Sequence, residues 1–97
     1  MAHYILLLKY TDQGIRNVKD STKRATAFGD MAEKMGVKVS SILWTMGQYD
    51  LVAHIEAPND ETAAAVSVAT GKLGNVSIQT LRGFTASEVD GILKKVS

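Results

Sequence analysis

A chain of 97 residues, 45% apolar and 22% charged, has room for one hydrophobic core and the composition of a globular domain, which argues against disorder. A formal net charge of +1 supplies no field to gather nucleic acid, an anionic membrane or an acidic substrate, and the absence of cysteine excludes disulfides, thiolate nucleophiles and sulfur-ligated metals. The apolar stretch Tyr4 to Leu8 is too short to span or export, so the expectation is a single cytoplasmic domain over residues 1–97.

Ala2 to Tyr10 is an apolar run of strand length that stops at the polar cluster Thr11-Asp12-Gln13-Gly14. Ile15 to Val18 suits one helical turn, and Asp20-Ser21 offers the cap of a longer helix running to about Met35. Ala25, Phe28, Ala32 and Met35 share one stripe of that helix, with the charged residues elsewhere, and Gly36 suits the left-handed position that closes it. Val37 to Met46, with Trp44, forms a strand that turns through Gly47-Gln48 into a second strand, Tyr49 to Glu56. Pro58-Asn59-Asp60 ends that strand and caps an Ala-rich helix over Glu61 to Thr70. Val76 to Phe84 is the fourth strand, and Glu88 to Val96 a short C-terminal helix.

The order strand, helix, strand, strand, helix, strand predicts an α+β ferredoxin-like βαββαβ plait, with one antiparallel sheet in the order 4-1-3-2 and both main helices on one face. Alternation then divides the strand residues between faces. Tyr4, Leu6, Leu8, Val37, Val39, Leu43, Tyr49, Leu51, Ala53, Ile55, Val76 and Ile78 fall in the helix-facing register. Ile5, Leu7, Ile42, Trp44, Met46, Val52 and Leu81 fall on the open face, beside Lys9, Asp50, His54 and Gln79. So apolar a face calls for cover, and a second copy of the chain is the simplest one, giving a homodimer or higher homo-oligomer.

Thr11 to Ser21, Trp44-Thr45-Met46-Gly47-Gln48-Tyr49-Asp50-Leu51-Val52, Glu56-Ala57-Pro58, Leu73-Gly74-Asn75-Val76 and Thr80-Leu81-Arg82-Gly83-Phe84-Thr85 together resemble the GYD-domain family over almost the whole chain. The resemblance implies a ferredoxin-like fold of the dimeric α/β barrel type and supplies no catalytic residues.

Lys9, Trp44, Asp50, His54 and Gln79 form the candidate ligand-binding set on the open face, where a base, an acid and an aromatic wall would hold a small polar or aromatic molecule between subunits. The same residues also suit structural roles: a Lys9–Asp50 cross-strand ion pair, an interface histidine at 54, and a packed Trp44. His3 is expected near His54 or Glu56. Two histidines far apart in sequence with no carboxylate at ligand spacing make no metal site, Gly71-Lys72-Leu73-Gly74 lacks the remaining residues of a phosphate loop, and no cofactor is expected. Arg16, Lys19, Lys23 and Arg24 give the first helix a basic side that reads as a solvated face. Three function classes follow: a homo-oligomeric small-ligand-binding or sensing domain, a cofactor-independent oxygenase- or isomerase-like enzyme, and a structural assembly protein.

Overall fold

A computed structural model describes residues 1–97. Strands β1 (Ala2–Tyr10), β2 (Lys38–Trp44), β3 (Leu51–Ala57) and β4 (Val76–Gly83) alternate with helices α1 (Asp12–Arg16), α2 (Ser21–Lys34), α3 (Asp60–Gly71) and α4 (Ala86–Leu93), with a 3-10 turn over Val18–Asp20. The sheet runs β2-β3-β1-β4 with every neighbouring pair antiparallel, as the predicted plait requires.

Local chemistry sets the element ends. The Thr11 hydroxyl accepts the Gly14 N–H at 3.1 Å and starts α1, and the Asn59 side chain accepts the Thr62 N–H at 2.8 Å and starts α3. Asp20, the expected cap of α2, makes no such bond, because the chain enters α2 directly from the 3-10 turn. Gly36 takes φ +77° where α2 turns into β2. The C-terminal helix begins two residues earlier than expected, at Ala86, because Thr85 and Glu88 form a reciprocal capping box.

The core lies between the sheet and helices α2 and α3. Leu6, Ile55 and Val66 are fully enclosed, and Tyr4, Leu8, Leu51, Ala53 and Ala57 continue the layer along β1 and β3. Strand β3 alternates between buried and half-buried without a break, the signature of a central strand with one face turned to the helices. The Tyr4 hydroxyl donates to Asp60 Oδ1 at 2.5 Å and ties β1 to the start of α3; that bond, then burial, holds the phenol above its ordinary pKa.

Helix α4 adds nothing to this core. None of its residues is buried, and its apolar side, Val89, Ile92 and Leu93, remains 37–57% exposed. The radius of gyration is 14.6 Å, where a compact chain of this length measures roughly 12–13 Å. No helix is long and apolar enough to cross a membrane.

Candidate ligand-binding cavity

The five residues singled out from the sequence do not converge. Lys9 and Gln79 meet around Tyr49: the Lys9 ammonium sits 5.7 Å from the ring centroid, and the Tyr49 hydroxyl donates to Gln79 Oε1 at 2.8 Å. His54 lies toward the far end of the same face, with its Nε2 2.9 Å from His3 Nδ1. Beside these histidines Glu56 accepts from the Ser40 hydroxyl at 3.0 Å and pairs with Lys38 at 3.7 Å. The Ser40 bond, ahead of the Lys38 charge, holds the Glu56 carboxyl below its ordinary range.

Asp50 forms no ion pair with Lys9. Its Oδ2 accepts the Tyr10 backbone N–H at 2.8 Å and its own N–H donates to the Leu8 carbonyl at 2.8 Å, so it locks the end of β1 to the hairpin loop. Tyr49, placed by parity on the helix side, stands in that loop and reaches the open face instead.

Trp44 moves to the other side of the sheet. Val39 pairs with Ile55, yet Ser41 pairs with His54, so Ser40 is an extra residue and β2 carries a bulge. Beyond it every side chain changes face: Ile42 opposes Ala53, Trp44 opposes Leu51, and Leu43, which pairs with Val52, takes the open side at 63% exposure. The Trp44 indole N–H accordingly donates to Ser21 Oγ at the start of α2, at 2.9 Å. Met46 projects fully into solvent from the loop. The open face therefore carries Ile5, Leu7, Leu43, Val52 and Leu81 in its middle, without Ile42, Trp44 or Met46.

On the helix side a cavity of about 380 Å³ opens between α2 and the sheet, within the range of small-molecule sites. Leu8, Leu51 and Ala53 form its floor, and Ala25, Phe28 and Met31 its roof on α2. Leu73, at the exit of α3 and 61% exposed, brings one end to solvent. The cavity exists because α3 packs on the sheet through Ala63 and Val66, both at most 1% exposed, whereas α2 spans the remaining gap with residues as small as Ala25 and Ala27.

Its polar groups are few. Ser21 Oγ accepts from Trp44 and lies 2.7 Å from the Tyr10 hydroxyl. Since one hydroxyl hydrogen joins Ser21 to Tyr10, the other is left to serve a guest or water. Beside this pair stand Arg24, one turn further along α2, and Asn75, next to the Val76 that pairs with Tyr10. The Arg24 guanidinium donates to the carbonyls of Asn17 at 2.9 Å and Gly14 at 3.3 Å. Gln13 Nε2 donates to the Leu73 carbonyl at 3.1 Å and to Asn75 Oδ1 at 2.9 Å. Gly14 joins the two residues: a methyl group there would stand 1.9 Å from the Asn75 carbonyl oxygen, so only glycine lets α1 lie against the loop that carries Asn75.

The GYD domain family model matches residues 4–93. The chain belongs to the GYD family. This GYD domain is also similar to the crystal structure of TTHA0845 from Thermus thermophilus, at 23% identity, 89% coverage of this chain, 96% of that one and a TM-score of 0.58. That likeness supports the fold. No curated protein matches this chain.

Reading the GYD domain from sequence missed Tyr10, Ser21, Arg24 and Asn75 as neighbours of one cavity. A signal was present in α2, where Ser21 and Arg24 interrupt the apolar stripe of Ala25, Phe28 and Ala32 at positions three and four residues apart. Asn75 carried none, since its place depends on how the α3–β4 loop meets α1.

Proposed function

We propose that this GYD domain is a homo-oligomeric small-ligand-binding or sensing domain whose ligand occupies the cavity beneath α2. The observation that carries this reading is the cavity itself, with a largely apolar lining and a few polar groups gathered where the end of β1 meets the start of β4 and α2. Its lining contains no histidine, lysine or carboxylate to move a proton, which favours binding over acid–base catalysis. The homo-oligomer is supported by the open sheet face, whose apolar middle includes Leu43 and Leu81 at 63% and 38% exposure. A cytoplasmic setting belongs to the same reading, as the chain has no cysteine that an oxidising compartment would pair.

Native mass spectrometry of freshly purified protein reports both subunit count and any retained small molecule. Thermal denaturation with octanol, a neutral apolar probe, then tests the cavity. Octanol raises the melting temperature of the wild type and leaves Ala25→Phe, whose ring fills the space under α2, unmoved. A lone subunit that carries nothing and ignores octanol would defeat the reading and leave a structural role.

A further inference from the structure

We infer that the ligand is an organic acid: an apolar body inside the cavity, with its carboxylate held by Arg24 and the side-chain amide of Asn75. The inference rests on the cavity being a ligand site and adds the chemistry of what enters it. Arg24 is permanently charged and half-buried, and it takes part in neither of the chain's ion pairs, Lys38–Glu56 and Arg82–Glu88. Its two bonds to the carbonyls of Gly14 and Asn17 fix the guanidinium in place and occupy two of its five N–H donors. A prepositioned cation with donors to spare at the edge of an apolar chamber suits a planar oxyanion, which it can meet through two parallel bonds.

Asn75 points to the same chemistry independently. Because the Leu73 carbonyl can only accept, the Gln13 atom that meets it must be the NH2 group, and the Asn75 atom facing that same NH2 group must be its oxygen. The Asn75 amide hydrogens are thereby left over, and no acceptor in the fold takes them. With the spare hydroxyl hydrogen of the Tyr10–Ser21 pair, the free polar capacity around the cavity consists largely of donors, and no acidic residue lines it. A guest rich in acceptors satisfies that set; an amine or other cation would meet Arg24 with like charge.

The test compares octanoate with octanol, equal in chain length and different in head group, through the emission of Trp44, whose N–H bonds a cavity residue. One charge-assisted, two-pronged contact predicts that octanoate binds the wild type about ten-fold or more tightly than octanol. High salt weakens octanoate and leaves octanol alone. Arg24→Gln abolishes the preference while octanol affinity holds, and Asn75→Ala reduces it. Should Arg24→Gln fail to fold after losing its bonds to Gly14 and Asn17, the wild-type comparison and its salt dependence still decide. Equal affinities for acid and alcohol overturn the acid preference and spare the cavity. Binding of neither overturns both.

Discussion

Gly14→Ala tests the contact on which both the fold and the acid-binding end depend. The new methyl would lie 1.9 Å from the Asn75 carbonyl oxygen and 2.9 Å from its carbon, backbone atoms that cannot swing aside as a side-chain tip would. Reaching ordinary contact means parting α1 from the α3–β4 loop by about 1.5 Å. That movement stretches the Thr11 N–H to Asn75 carbonyl bond, now 3.0 Å, and the two bonds from Gln13. Overpacking of this kind costs about 1–3 kcal/mol, and each strained hydrogen bond adds about 0.5–1.5 kcal/mol. Against this, alanine is better than glycine in a helix by about 1 kcal/mol. The net expectation is a loss of about 2–6 kcal/mol, which in a domain of this size lowers Tm by roughly 10 °C or more. Gly29→Ala is the matched control: it sits inside α2 with nothing within 4 Å of the added carbon, so it gains about 1 kcal/mol and melts several degrees higher. Urea and thermal denaturation followed by circular dichroism measure both variants. A Gly14→Ala protein that melts with the wild type would refute the close packing of α1 on the Asn75 loop, and with it the placement of Arg24.

Ser21→Ala removes the shared partner of Trp44 and Tyr10. Since Trp44 is 45% exposed and water can replace the lost acceptor, the cost falls at the lower end of about 1–3 kcal/mol, and Trp44 emission moves to longer wavelength. Ser40→Ala returns Glu56 toward the ordinary glutamate pKa, read by NMR titration of its carboxyl carbon, because the Ser40 bond is the largest cause of its depression. In the wild type that depression contributes stability that is present above the ordinary glutamate pKa and lost as pH falls through the lowered one. Tyr4 behaves oppositely: with its folded-state pKa raised by Asp60, its contribution is complete below the ordinary tyrosine range and is lost as pH climbs on through the raised value. Tyr4→Phe accordingly flattens the alkaline limb of a stability-against-pH curve measured by urea denaturation.

Strand order and both main helices were legible in the chain, since the patterns of β1 and β3 are long enough to show their period and Asn59 and Gly36 mark helix ends chemically. The candidate site was not. Face assignment by parity holds only while pairing is regular, and nothing in Lys38-Val39-Ser40-Ser41-Ile42 announces that Ser40 is supernumerary, because either serine tolerates the open side. Asp50 and Lys9 lie near enough in register to suggest an ion pair, yet the end of β1 presents an N–H that the Asp50 carboxylate takes instead. Arg24 looked like one charge among four on a basic helix side, and only the approach of α1 reveals that it reaches two backbone carbonyls outside its own helix.

The bulge at Ser40 links the two faces. Without it, Ile42 and Trp44 would point away from the helices, the cavity would lose part of its wall, and Ser21 would lose the indole that fixes its hydroxyl. With it, Ile42 joins the cavity lining and Trp44 reaches Ser21 at the start of α2, while Leu43 passes to the open face next to Val52. One inserted residue thus moves two large side chains, Ile42 and Trp44, to the helix side and leaves Leu43 as the contribution of this end of β2 to the open face. Its own cost, an interruption of the β2–β3 ladder, is offset at the surface by the Ser40–Glu56 bond. A bulge at the edge strand serves this end better than one in β1 or β3 would, because those strands pair on both sides and any slip there would turn the buried layer of Leu6, Leu8, Ala53 and Ile55 outward.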